Sequence, residues 1–258
     1  MAEETITIQT PDGPMDAFLA APERAAGAPA LLVAQEAFGV NEHIKGLCRR
    51  IAAEGYVAVA PELFHRAGRG IAPSYNDVPA ALAYLAPLTN DGLTMDVRAA
   101  LGAVRNRREV DPARVGIVGF CMGGYTSLLA ACRTDVATAI AFYGGGVVRP
   151  RPGIGFTPIV NELPRVKVPV LCLFGEDDPQ IPPEDITAIR KGLEASDAPH
   201  EIVVYPKAVH AFFNDARPAA YNPAAAADAW TRMLEWLRKV LASHVVRAIR
   251  ESPVQEPS

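Results

Sequence analysis

The stretch VGIVGFCMGGYTSLLAA, Val115 to Ala131, reads as a buried strand, a glycine-rich bend and a helix, with Cys121 at the tip of the bend. Its centre, Gly119-Phe120-Cys121-Met122-Gly123, is the pattern G-x-S-x-G with a thiol in place of the serine hydroxyl. That pattern marks a turn so tight that its central residue is strained and exposed at the end of a sheet. Glycines on either side keep other side chains out of the crossing. One cysteine in such a bend is also compatible with a small apolar residue, so the rest of the chain must supply a base, an acid and a fold.

Outward from the bend, strands and helices alternate. ETITIQT and PMDAFLAAP flank the turn signal Pro11-Asp12-Gly13 and predict an opening hairpin. APALLVAQ is a continuous apolar run, the signature of a strand covered on both faces of a parallel sheet. NEHIKGLCRRIAAEGY places Ile44, Leu47, Cys48 and Ile51 at helical spacing, with Gly55 as a stop. YVAVAPELF predicts the next strand, and DGLTMDVRAALGAVRNRREVD the helix before the bend. VATAIAFYGG, VPVLCLFGEDD and HEIVVYPKAVH follow as strands, with PPEDITAIRKGLEASD as a helix between the last two. PAAAADAWTRMLEWLRKVLASHV closes the series as a long amphipathic helix. This order predicts an α/β fold, a mostly parallel central sheet flanked by helices on both faces, whose ligands bind at the carboxyl ends of the strands. Residues 1–250 are expected to form a single domain with a candidate lid at 66–90, and residues 251–258 a disordered tail.

The 258 residues are half hydrophobic and 21% charged, a globular composition, and the formal net charge of −4 offers no footprint for nucleic acid or an anionic membrane. A small-molecule partner fits better. No basic segment followed by an apolar run opens the chain, and no apolar stretch reaches the ~18 residues that a membrane span needs. A cytoplasmic location is therefore expected. The four cysteines, Cys48, Cys121, Cys132 and Cys172, form no C-x-x-C pair, and no metal-ligand spacing occurs, so free thiols and no metal or cofactor are expected.

A nucleophile at Cys121 needs a histidine within reach and a carboxylate to orient it. In α/β-hydrolases these follow in the order nucleophile, acid, histidine. FGEDDPQIP follows one strand and YPKAVHAFFND the next, so Asp178 lies 57 residues beyond Cys121 and His210 a further 32. Each interval holds about one strand-helix-strand passage, which brings all three to one sheet edge. Asp177 competes with Asp178, and either carboxylate could instead cap the helix near Pro183. His43, His65, His200 and His244 end no strand in the required order. Glu36 ends the otherwise apolar run LLVAQE, either exposed at a strand end or beside the active site. The loop it opens is where such folds place one oxyanion-hole N–H, so the backbone amides of Ala37 and Met122 are the candidates for that hole.

VAQEAFGVN, GFCMGG, FGEDDPQIP and YPKAVHAFF together resemble the dienelactone hydrolases (carboxymethylenebutenolidases), over the span from about Pro29 to Trp236. The resemblance implies a compact α/β-hydrolase fold and hydrolysis of a cyclic enol ester to a dicarboxylic keto acid. Carried over by position, it implies a triad of Cys121, Asp178 and His210, with Glu36 as an accessory carboxylate that activates the cysteine when substrate arrives. A carboxylate opposes a neighbouring thiolate and an imidazolium favours it, so a Glu36 that keeps the resting thiol neutral would also protect it from oxidation.

The chain departs from the family pattern at one place. Where the bacterial dienelactone enzymes carry a substrate-gripping arginine four residues past the histidine, this chain has Asn214. Arg217 stands three residues further on, and Arg66 and Arg69 lie in the candidate lid. Phe38, Arg69, Tyr75, Tyr84, Phe213 and Arg217 are the candidates for lining the substrate pocket. The expected function is a cysteine-dependent hydrolase of a small lactone or ester, acting through an acyl-thioester as a monomer or homodimer. The alternatives are a general carboxylesterase or thioesterase, and a non-catalytic binding protein on the same fold.

Overall fold

The computed structural model describes residues 1–242 of the chain. The expected tail at 251–258, the domain limit at 250 and His244 lie outside the described residues. Eight strands form one sheet: β1 (Ala2–Thr10), β2 (Gly13–Ala21), β3 (Ala28–Ala34), β4 (Val57–Pro61), β5 (Val110–Phe120), β6 (Ala139–Phe142), β7 (Val170–Gly175) and β8 (His200–Tyr205). Their order is β1-β2-β4-β3-β5-β6-β7-β8. β1 and β2 pair as the predicted hairpin, β2 meets β4 antiparallel, and every pair from β4 to β8 is parallel.

The patterning explains this order. Each residue of β4, β6 and β7 is buried, which suits continuous apolar runs covered on both faces. β1 exposes most of its length, and β8 at the opposite edge is only partly covered. The covering helices are α1 (Glu42–Ala53), α2 (Val78–Leu85), α3 (Asn90–Arg105), α4 (Met122–Arg133), α5 (Pro183–Glu194) and α6 (Pro223–Val240). Side-chain oxygens of Asn41, Asp77, Thr89 and Asn222 accept first-turn N–H groups of α1, α2, α3 and α6. The helices seat apolar faces on the sheet: Ile44, Leu47, Cys48 and Ile51 of α1 are buried, as the spacing predicts. Each large core side chain so buried stabilises the fold by about 1.5–3 kcal/mol. Cys48 and Cys172 are buried free thiols and Cys132 is half-buried.

The segment at 66–90 is fastened at its start by a buried polar cluster. Asp96 of α3 is fully buried and accepts from Arg66 at 2.7 and 2.9 Å, while His65 Nε2 lies 3.1 Å from the same carboxylate. No helix of the described residues is long and apolar enough to cross a membrane.

Candidate active site

The carboxyl ends of β3, β5, β7 and β8 carry the candidate catalytic residues to one rim of the sheet. β5 ends at Phe120 and α4 begins at Met122, leaving one residue for the reversal. That residue, Cys121, takes φ 55° and ψ −113°, a conformation rare for a side-chain-bearing residue. Its N–H donates to the Phe142 carbonyl at 3.1 Å, which ties the bend to β6. The flanking glycines are required by contact: a Cβ on Gly119 would collide with the Gly123 carbonyl, and one on Gly123 with the Ala34 and Gln35 carbonyls at the end of β3.

Beyond β7, Asp178 is buried and Asp177 exposed. Asp178 Oδ1 accepts the Gln180 N–H at 2.8 Å, and Oδ2 lies 2.7 Å from His210 Nδ1. His210 is buried, and its Nε2 has no hydrogen-bond partner. Burial lowers the pKa of this imidazole, but Cys121 thiolate charge and the contacts with Asp178 and Cys121 outweigh it and push it up to about 10. His210 is thus fixed through one nitrogen, with Cys121 close enough to govern its charge. Ala211, the next residue, is at φ 67°, so the chain turns sharply just past the histidine.

Glu36 is buried, not exposed at the strand end. Asn214 Nδ2 donates to its Oε2 at 2.7 Å, and the Tyr143 hydroxyl lies at 3.5 Å from Oε1. Among the described residues no cation pairs with Glu36 within salt-bridge distance. Tyr143 is fully buried, and burial with the charges of Glu36 and Cys121 raises its pKa well above the usual tyrosine range. The Met122 N–H opens α4, where no earlier turn of the helix offers it a carbonyl. The Ala37 N–H, in the loop after β3, donates to no carbonyl of that loop.

A cavity of about 610 Å³ beside the triad is lined by His210, Tyr75, Arg217, Asp177, Pro179 and Val209, among others. Of the six candidate pocket residues, Tyr75 and Arg217 line it. Phe38 packs against Tyr75 with ring centroids 4.7 Å apart. The other three are elsewhere. Arg69 reaches 3.3 Å from Asp16 on β2, Tyr84 stacks on Phe64, and Phe213 is buried against Phe120 and Phe142 beneath the site. Each has a local partner away from the cavity: an ion pair for the arginine and apolar contacts for the rings. Asn41 and Tyr143 belong to the site and were not foreseen. Asn41 caps α1 and also reaches Tyr75, a contact that nothing in the sequence signalled. Among the described residues no cluster of three or more His, Cys, Asp or Glu side chains could hold a metal ion.

Comparison with known proteins bears on the family and the fold. The sequence model of the dienelactone hydrolase family matches residues 15–241. A Salmonella typhimurium protein named "Putative carboxymethylenebutenolidase" is 39% identical over 86% of this chain and 82% of its own length. A protein of the same name from Escherichia coli K12 is 38% identical over 87% and 82%. A crystal structure from Klebsiella pneumoniae, described as a "Putative Dienelactone Hydrolase", superposes with a TM-score of 0.83 at 35% identity, covering 92% of this chain and 98% of that one. The chain is an α/β-hydrolase enzyme and belongs to the dienelactone hydrolase family.

Proposed function

We propose that the chain hydrolyses a small ester or lactone through Cys121, His210 and Asp178, by way of an acyl-thioester. The observation that carries this reading is the histidine anchored by Asp178 at 2.7 Å with its other ring nitrogen unpartnered beside a cysteine at an elbow. The thiol proton of Cys121 rests on His210 before the reaction starts, and the Cys121 sulfur attacks the ester carbonyl to form a C–S bond. The Ala37 and Met122 N–H groups stabilise the resulting oxyanion. The C–O bond then breaks, and the leaving oxygen takes the proton from His210. In the second half, His210 removes a proton from water, hydroxide displaces the thiolate, and the acid departs. Cys121 suits the first step because a thiol is a stronger nucleophile at neutral pH than a hydroxyl.

Glu36, 1% exposed and bound by the neutral Asn214 amide, is the accessory carboxylate of this scheme. Its displacement by arriving substrate would move its negative charge away from the sulfur and so favour the thiolate. A dienelactone is the substrate class that the family suggests. A neutral small ester is the second reading, favoured by the amide of Asn214 where the family's arginine stands. Hydrolysis of a dienelactone beside a neutral aryl ester, by the wild type and Cys121→Ala, tests both. Cys121-dependent turnover favouring the dienelactone supports the first, and turnover of the neutral ester alone supports the second. Turnover independent of Cys121 overturns the mechanism.

A further inference from the structure

The Tyr75 hydroxyl, in the segment between β4 and α2, accepts two amide protons, from Asn41 Nδ2 at 3.0 Å and Asn214 Nδ2 at 2.9 Å. The orientation of both amides is fixed independently. Asn41 Oδ1 accepts the Ile44 N–H at 3.2 Å and Asn214 Oδ1 the Ala216 N–H at 3.0 Å. With each oxygen committed to a backbone donor, the nitrogen must be the atom that faces Tyr75. The remaining Asn214 amide proton goes to Glu36 Oε2 at 2.7 Å.

A phenol has two lone pairs and one proton. Both lone pairs of Tyr75 are filled, and its proton is donated to no acceptor among the described residues. Burial and the Glu36 charge raise the Tyr75 pKa, so the proton stays on the oxygen across the neutral range. The side chain lines the same cavity as His210 and Arg217, and its ring is held edge-on to Phe38. The Arg217 guanidinium sits 5.6 and 5.8 Å from the centroids of the Phe38 and Tyr75 rings.

We propose that Tyr75 is a specificity-determining residue whose hydroxyl donates a hydrogen bond to an oxygen of the substrate flanking the scissile carbonyl. This rests on the reading of the cavity as the ester site. The enzyme then selects for an oxygen acceptor over a methylene of the same shape, because a donor that the bound hydrocarbon covers and leaves unpaired costs binding in the transition state.

The test uses two isosteric pairs: phenyl methoxyacetate against phenyl butanoate, and 2-methoxyethyl against butyl acetate. For each pair the ratio of kcat/KM, oxygen-bearing over hydrocarbon, is measured in the wild type and in Tyr75→Phe. Intrinsic reactivity cancels between the two proteins. In at least one pair the ratio falls by about two- to tenfold in Tyr75→Phe, the loss of one neutral hydrogen bond. Unchanged ratios in both pairs overturn the proposal, including the case in which all four esters slow equally because Tyr75 acts only by holding Asn214 and Glu36. If the wild type turns over none of the four, the proposed function fails by itself. Calorimetric binding of the same pairs to Cys121→Ala, with and without Tyr75→Phe, then reads the ratio without turnover, and an unchanged ratio there equally overturns the role of Tyr75.

Discussion

Asn214 Nδ2 lies 2.7 Å from Glu36 Oε2, so a neutral amide holds a buried carboxylate at the rim of the sheet. The same amide nitrogen reaches Tyr75, and its oxygen is fixed by the Ala216 N–H. Asn214 is therefore a clamp between the loop after β3, the 66–90 segment and the loop that carries His210. Asn214→Leu removes the donor to the carboxylate and leaves it buried without its shortest hydrogen bond. The expected loss is about 1.5–3 kcal/mol of stability, read by urea denaturation. A change below about 0.5 kcal/mol would mean that Glu36 finds water or another donor at no cost.

His210 is expected to keep its proton well above neutrality, with an apparent pKa near 10 in the wild type. Nitrogen-15 NMR of the imidazole measures this directly. Because the folded value exceeds the unfolded one of about 6.5, protonation of His210 contributes stability fully below about pH 6.5 and loses it as pH rises through about 10. Cys121→Ala removes the negative charge beside the imidazole that raises it, while burial continues to lower it, so the titration moves down toward neutrality. A titration that does not move on removal of Cys121 would separate the two side chains.

The close passage at the elbow makes a simpler prediction. Gly123→Ala forces a methyl group into the Ala34 and Gln35 carbonyls, both backbone atoms that have nowhere to go. Overpacking of this kind costs about 1–3 kcal/mol or more, and here it displaces the loop carrying Glu36 and Ala37 as well. Thermal denaturation is expected to show a Tm lower by several degrees together with loss of esterase activity.

Arg217 has no ion-pair partner among the described residues and borders the cavity with His210. Arg217→Met keeps the apolar stem against Phe38 and Tyr75 while removing the charge. Its kcat/KM for an ester bearing a carboxylate is expected to fall about tenfold or more relative to a neutral ester of the same leaving group. An unchanged preference would move anion recognition away from Arg217.

Much of this site was legible in the sequence because its parts follow strands. Cys121, Asp178 and His210 each come a few residues after an apolar run, and a parallel sheet delivers such positions to one rim. Glu36 was visible for the same reason, as a charge ending an apolar strand. What escaped depends on tertiary partners. Asn214 meets a carboxylate 178 positions away, and Asn41 meets a tyrosine 34 positions away. Arg69, Tyr84 and Phe213 carried the right chemistry for a pocket but were claimed by Asp16, Phe64 and the aromatic core. The buried pairing of His65 with Asp96 was equally invisible, since neither spacing nor motif connects them.

The central claim is that Cys121 carries the acyl group during turnover. The direct measurement is intact-mass spectrometry of the enzyme quenched within its first turnovers of an activated aryl ester, in the wild type and in Cys121→Ala, with His210→Gln to slow deacylation. A mass increase of one acyl group, mapped to Cys121 and absent from Cys121→Ala, is the predicted result. Ester hydrolysis by Cys121→Ala at a rate within a few-fold of wild type, with no acyl adduct on Cys121 of the wild type, would contradict it.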